Sequence, residues 1–524
     1  METVQKWVRA LVDEQETGLV FGDDRWSWAQ TVGDAAARAR VLAEYAKADE
    51  PLHVGVLMEN TPEMVRALVS GAVGSHVTVG INATRRGEAL ARDIVHTDVN
   101  VLLTDDHHAP LVEGLDLGGI PVINVDDAAW AARAAEADRS VEGFADAVDT
   151  DTFVLIFTSG TSGDPKAVMV PHLLSTASVQ VLAPSFGLGR DDVYYCAMPL
   201  FHSNAIVTSF ALALASGGDL VIKRKFSASG LLPDIRKHGA TFMNYIGKPL
   251  AYVLATPELD DDADNTLRVA YGNEATDRDI AEFSRRFGCT VTDGYGSTEG
   301  AVFIVRDENT PPGSIGKAVG GSTVWNRESR EVCPPAVFDA SGRVVNLDDA
   351  VGELVNPEGG GLFQGYYNDE ASTKARLDGG VYWSGDLAYR DTEGNIFLAG
   401  RTDDWLRVDG ENLATGPVER LMMRNDAISQ AAVYSVPDEI TGDRLMIALV
   451  LRENATLAPE EFERFLDEQA DLSPKARPSL VRITAQMPTT ATNKVIKREL
   501  RQVGAATTDE IWEREPRGTA YIKR

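Results

Sequence analysis

The sequence predicts an α/β fold: a large N-terminal domain of two βα-layered subdomains plus a small β lobe, followed by a small C-terminal α/β domain. Three observations carry that prediction. Apolar β-rich runs alternate with segments of helical period between about residues 33 and 126, the pattern of parallel βαβ units. A strongly apolar run, TFVLIF at 152–157, empties directly into the glycine-rich TSGTSGDPK, and a second βα series follows to about residue 300. Beyond residue 305 the texture shifts to short strands separated by Gly, Pro and Asp turns, and after GRTDDW it shifts again to mixed helices and strands.

Taken in order, HVGVLM (53–58), HVTVGIN (76–82) and VNVLLTD (99–105) read as strands, with helices over TPEMVRALVSGAVG and over 86–96 between them. Residues 127–150 are rich in Ala and acids. In the second series DVYYCAM, DLVIKRKF, ATFMNYIG and TLRVAYG are the strands, and PPGSIGKAVGG, DASGRVV and GELVN make the lobe. The C-terminal part holds a helix at GPVERLMMRN, strands at AAVYSVPD and LMIALVL, a helix at APEEFERFLDEQA and a basic end, NKVIKREL. A boundary near Asp403 gives domains 1–402 and 403–524.

The 524 residues leave room for about three or four units at roughly 150 residues each. With 44% hydrophobic and 25% charged residues, the chain is globular rather than collagen-like, disordered or a disulfide scaffold. Lys and Arg number 50 against 79 Asp and Glu, a net charge of −29. That field repels phosphate backbones and anionic headgroups, which argues against nucleic-acid and membrane-surface partners and means that an anionic ligand needs a concentrated cradle. Cys196, Cys289 and Cys333 are odd in number and lack metal-ligand spacing, so neither a disulfide framework nor structural zinc is expected. METVQKWVRALVDEQETG lacks a basic region followed by an apolar run, so the mature protein is expected to start here. The longest mostly apolar stretch, 205–215, ends at Gly217-Gly218-Asp219, short of the roughly 20 residues of a membrane helix. A reducing cytoplasm is the expected location.

Four segments carry chemistry. In FTSGTSGDPKAV, four hydroxyl residues, two glycines and Lys166 follow a strand: glycines let backbone N–H groups approach a polyphosphate, hydroxyls add donors, and lysine adds a point charge. Neither the Walker spacing nor GxGxxG is present, so ordinary phosphate-loop NTPases and dinucleotide enzymes lose support. DGYGSTEG offers Tyr295 to stack on a purine, Asp293 to accept from an exocyclic amine, Thr298 to donate to phosphate and Glu299 to hold Mg²⁺. A Gly-rich turn with one carboxylate serves structure equally well. In the stretch from Tyr382 to Leu413, Asp386 can accept two hydrogen bonds from a ribose diol and Arg401 can reach the same sugar or a phosphate, although a hairpin with turn acids has the same spacing. TATNKVIKREL carries Lys494 among several solvated lysines.

In this order and at these separations the four segments resemble the adenylate-forming superfamily of acyl-CoA synthetases, peptide-synthetase adenylation domains and luciferases, over about residues 20 to 502. FTSGTSGDPKAV, MPLFHSNA, RKFSAS, GKPLAYVLATPELDDDADN, YGNE and LRVDGENL look most like actinobacterial fatty-acyl and steroid-side-chain CoA ligases. The resemblance implies an ATP- and Mg²⁺-dependent ligase that activates a hydrophobic carboxylic acid and passes it to CoA, with a mobile C-terminal domain. It implies that Thr158, Ser159, Gly160, Thr161, Ser162, Gly163 and Lys166 cover the ATP phosphates, and that Tyr295 stacks on adenine beside Asp293, Gly272, Asn273 and Glu274. Thr298 would touch the α phosphate, Glu299 would hold Mg²⁺, and Asp386 and Arg401 would bind ribose. Lys494 would bridge the two reacting anions, Asp403 would be the hinge, and Gly410 would lie along pantetheine.

The acyl site is implied at Phe201, His202, Asn204, Tyr245, Ile246 and Gly247. His202 reads equally as a catalytic-site contact and as a core histidine, and the smallness of Gly247 and Gly272 favours a wide pocket for a bulky apolar, steroid-like or polycyclic terpenoid acid. Two departures stand out. Thr492-Asn493-Lys494 replaces the family's Thr-Gly-Lys, and WNRESREVCPP (325–335) replaces its Asp-x-x-Thr-Gly hairpin, where only a loop change is expected. Competing readings are transfer to an acyl carrier protein, specialisation for one half-reaction, and a non-catalytic nucleotide-binding homologue. A homodimer is compatible with all of them.

Overall fold

Strands that are mostly apolar bury both faces, and the four central strands of the first sheet are of this kind. Its order is Val122–Asn124, Val101–Thr104, His53–Leu57, Val77–Gly80, Thr152–Thr158 and Lys166–Pro171, with the last strand antiparallel and the others parallel. Helix Pro62–Gly74 shows the local logic: Thr61 caps it by accepting from the Met64 N–H at 3.2 Å, Pro62 occupies the first turn, and Ser75 ends it in the left-handed region. The computed structural model describes residues 2–524 apart from 159–164, 308, 341, 402–404, 409–410, 439–441, 470–471, 473–475, 491–494 and 516–517. The sequence boundary at Asp403 lies outside the described residues.

The chain divides into two units, Met1–Ala301 with Gly360–Ala375, and Val302–Gly359 with Arg376–Arg524. The first unit holds the sheet above and a seven-stranded one ordered Thr290–Asp293, Val269–Asn273, Phe242–Ile246, Val193–Cys196, Asp219–Ile222, Gly18–Phe21 and Asp24–Ser27. The sequence reading has no counterpart for the N-terminal hairpin, Gly18–Phe21 with Asp24–Ser27, which joins this second sheet. It escapes a sequence reading for physical reasons. Leu19 pairs with Leu220, some two hundred residues away, and Asp24–Ser27 is polar and largely exposed, so neither strand has a local pattern.

Arg286 ties the last two helices of this sheet together. It is 6% exposed, pairs with Asp262 at 2.6 Å and donates to the carbonyls of Val253, Thr256 and Pro257, so the buried charge is fully engaged.

The second unit contains an antiparallel sheet ordered Phe303–Val305, Gly316–Val319, Asn395–Arg401, Val381–Arg390, Gly352–Asn356 and Thr323–Trp325. It also contains a five-stranded sheet of Ile428–Asp438, Gly442–Leu451, Leu480–Ile483, Glu510–Arg514 and Tyr521–Lys523. The run LMIALVL explains how this sheet is covered. Leu445, Ile447 and Leu449 pack with Val418, Phe462 and Leu466 of helices Thr415–Met422 and Pro459–Asp467, while Met446 and Ala448 pack with Leu500 of helix Lys497–Val503. Successive residues alternate faces, so an unbroken apolar run requires a helix on each side. Among the described residues no helix is long and apolar enough to cross a membrane.

Burial pushes the imidazoles of His76 and His172 in the first unit down to about 4. In the unfolded chain they titrate near 6.5. Between those values the unfolded state binds protons that the folded state does not, so stability rises with pH through that window and falls on acidification. Below it, carboxylates such as Asp192 titrate; burial opposes, yet hydrogen bonds from Thr241 and Arg268, each at 2.6 Å, hold it under the usual range. The urea midpoint is expected to fall steadily as pH is lowered from about 6.5 to about 4; a flat midpoint across that range would contradict the burial of these rings.

Candidate active site

Three parallel strands of the first unit end side by side, and their register places Tyr245 beside Gly272 and Gly272 beside Asp293. A Cβ at Gly272 would lie 2.4 Å from the Tyr245 carbonyl oxygen and 2.5 Å from its ring. Only glycine passes there. The Tyr245 ring is fully buried and its hydroxyl donates to Asp293 Oδ1 at 2.5 Å, while Asp293 Oδ2 accepts from the Ala275 N–H at 3.1 Å. These contacts give the smallness of both glycines a cause other than pocket width. Gly272 is small because it crosses an aromatic ring, and Gly247 occupies the left-handed region at φ +68°. Tyr245 itself lies in the core beneath the strand ends.

Asn273 extends the arrangement sideways. Its amide donates to the Gly294 carbonyl at 2.5 Å, and its oxygen accepts from Asn204 at 3.0 Å, which in turn accepts from buried Asn244 at 2.7 Å. Asn204, Asn273, Asp293 and the segment after it are thereby held together. Glu274 follows at φ +66°, and Tyr295 and Ile246 are half-buried nearby in sequence. Asn204 sits in a helical run, Ser203–Ala205, Ile206–Phe210 and Ala211–Ser216, whose middle turn is a π-helix, a form frequent at functional sites.

Before that helix, Phe201 is 5% exposed and stands 4.7 Å from the His202 ring. His202 is half-buried as a residue, but its Nε2 is enclosed and has no hydrogen-bond partner among the described residues. Burial pushes this imidazole down to about 4, so near neutral pH it carries no charge.

Thr158 ends its buried strand directly opposite Lys166. The residues between them expected to form the phosphate loop, Ser159, Gly160, Thr161, Ser162 and Gly163, lie outside the described residues. Lys166 Nζ stands 5.2 Å from the centre of the Tyr366 ring, within cation–π range. The Tyr366 hydroxyl donates to Glu299 Oε1 at 2.9 Å. Thr298 shares a hydrogen bond with Ser203 at 2.9 Å. Lys166 and Glu299 are thus gathered around one ring, and Tyr366 comes from segment 360–375, which the sequence reading passed over. The available signal was GYYND, two aromatic residues just after a glycine-rich stretch.

In the second unit Asp386 and Arg401 are directly opposed on adjacent strands; the Arg401 side chain, with Asp403, Gly410 and Lys494, lies outside the described residues. Thr489 and Val495, either side of Lys494, form a bridge.

Residues 7–367 match the AMP-binding enzyme family, and residues 417–494 match its C-terminal domain. The chain belongs to this family. It is 48% identical to the medium/long-chain-fatty-acid–CoA ligase FadD17 of Mycobacterium tuberculosis, over 97% of this chain and 98% of that protein. It is 41% identical to the steroid-22-oyl-CoA synthetase of Rhodococcus jostii, over 98% of this chain and 94% of that one. Among solved structures, ATP-bound MatB from Rhodopseudomonas palustris superposes with a TM-score of 0.84 at 21% identity, covering 96% of this chain and 99% of that one. The α/β fold read from the sequence is the fold of these enzymes.

Replacing Tyr366 by Phe keeps the ring under Lys166 and removes the bond to Glu299. The variant is expected to bind ATP in the presence of Mg²⁺ about fivefold more weakly in calorimetry, the effect of losing one hydrogen bond to a carboxylate; unchanged affinity would show that Tyr366 does not set Glu299.

Proposed function

We propose that the chain is an ATP-dependent acyl-CoA ligase for a hydrophobic carboxylic acid of the fatty or steroid-side-chain class. Near-full-length likeness to ligases named for such acids, at 41–48% identity, carries the reading. The acid's carboxylate attacks the α phosphorus of ATP, the bond to the β phosphate breaks, and pyrophosphate leaves. The thiol of CoA then attacks the acyl carbon of the mixed anhydride and AMP departs.

The first step brings two anions together, so catalysis is mostly positioning and charge neutralisation. In this reading Lys166, Thr158 and the intervening loop hold the β and γ phosphates, Thr298 touches the α phosphate, and Lys494 bridges the reacting groups. Tyr295, Asp293 and Asn273 border the adenine, and Asp386 with Arg401 takes the ribose. Phe201, His202, Asn204 and Ile246 border the acyl chain, where a neutral His202 suits an apolar ligand. Glu299 fits Mg²⁺, since it offers hard carboxylate oxygen and only its Oε1 is committed to Tyr366; bound there, the ion would neutralise phosphate charge. A thiol of pKa about 8.5 supplies some thiolate near neutral pH, so the second step needs no dedicated base.

The deciding experiment measures acid-dependent pyrophosphate release with Mg-ATP over linear fatty, aromatic, steroid and terpenoid acids, with CoA or a holo carrier protein as acceptor. Release driven by a hydrophobic acid, followed by thioester formation on CoA, is expected. Thioester formation from presynthesised acyl-AMP without any acid-driven release would instead mark a thiolation enzyme and point to Asn493. A preference for short linear acids would overturn the assigned substrate class.

A further inference from the structure

Glu353 is a carboxylate only 4% exposed that the chemistry above does not use. Its strand, Gly352–Asn356, pairs with Val381–Arg390, but the register runs from Glu353 opposite Leu387 to Val355 opposite Trp383. Two steps on one strand face four on the other, so residues 384–386 form a bulge, a device that re-aims side chains beside functional sites. Gly385 adopts φ +76°, a left-handed conformation that favours glycine, and the Arg376 guanidinium lies where a Cβ would project.

The bulge takes the Gly385 N–H out of the regular ladder. Glu353 Oε1 accepts it at 2.7 Å, substituting a side-chain oxygen for a strand carbonyl. Glu353 Oε2 stands 3.3 Å from Arg327 Nη1, and the Arg327 guanidinium lies 4.2 Å from the centre of the Trp383 ring. Two further contacts fasten the same backbone: Arg376 donates to the Trp383 carbonyl at 3.1 Å, and the Asp386 N–H donates to Ser384 Oγ at 3.0 Å. Burial raises the Glu353 pKa, against which the Gly385 N–H, Arg327 and Arg376 favour the charged carboxylate.

Arg327 belongs to the segment 325–335, which departs from the family pattern. This segment is more than a loop change. It is a tight hairpin, closed by Asn326 N–H to the Glu331 carbonyl and Cys333 N–H to the Val324 carbonyl, both at 2.9 Å. It sends Arg327 to Glu353 and Arg330 to Asp378, bracketing the strand that carries Asp386.

We propose that Glu353 is a positioning residue for nucleotide binding, fixing the bulge at 384–386 and thereby the ribose-binding Asp386, with Arg327 as its counter-ion. The proposal rests on the ribose assignment of Asp386 made above. A carboxylate suits this place because it accepts a backbone N–H more strongly than a neutral group does.

The test compares full-length E353A, E353Q, R327M and D386A by the KM for ATP and for acid in pyrophosphate release, by melting temperature, and by hydrogen exchange of the 381–390 backbone. E353A is expected to raise the KM for ATP about tenfold and to speed exchange at Gly385, with the KM for acid within about twofold of the parent. E353Q retains a carbonyl that accepts the N–H and should recover the KM for ATP to within about threefold, and R327M should raise it by about the same factor. An E353A that melts normally yet keeps the parental KM for ATP, while D386A raises it, overturns the proposal. So does an E353Q as impaired as E353A. If D386A also leaves the KM for ATP unchanged, the ribose assignment falls and the proposal with it. Should E353A fail to fold, a parental KM for ATP in R327M is the overturning result.

Discussion

The passage of Gly272 across the Tyr245 ring is the constraint from which the first unit's share of the site follows. With no room for a Cβ, the middle strand lies tight against its neighbour, and the tyrosine hydroxyl is delivered to Asp293 at the end of the third. At the end of that same middle strand, Asn273 then reaches both the helix that follows His202 and the carbonyl of Gly294. A carboxylate, an amide and the start of DGYGSTEG are fixed by packing rather than by ligand. Such preorganisation is what a reaction limited by positioning requires.

Much of this fold was legible because its signals are local and redundant. The strands at 53–57, 77–80, 101–104 and 152–158 are mostly apolar, bounded by caps and turns, and buried on both faces along nearly all their length. The elements that escaped depend on distant pairing. The hairpin at 18–27 takes its identity from Leu220, and Tyr366 takes its place beside Glu299 from a segment that follows an excursion into another unit. The structural reason for Gly272 is not legible in the same way, since sequence shows that a side chain is absent and not what would have collided with it. The hairpin at 325–335 shows the reverse case: a departure from family pattern looked incidental until Arg327 was seen against Glu353.

The electrostatics are consistent across levels. A chain of net charge −29 has to concentrate positive charge locally to hold an anion, and Lys166 is poised over an aromatic ring at the mouth of the predicted phosphate loop. His202 shows the opposite economy of charge: burial keeps its imidazole neutral, which suits the apolar acyl ligand proposed for it.

The discontinuity of the first unit has a consequence for how the chain comes to be folded. Lys166–Pro171 is the outermost strand of its sheet, and residues 365–367 line its open side: Met169 N–H donates to the Gly365 carbonyl and Tyr367 N–H to that of Ala167. An unpaired edge of this kind is a template for association with other chains. During synthesis it stays bare until the intervening Val302–Gly359 has emerged. Nascent or C-terminally truncated chains ending near residue 301 thus expose a sticky border and lack the tyrosine that bonds Glu299, so the protection of that edge and the setting of this carboxylate depend on the same late-arriving segment.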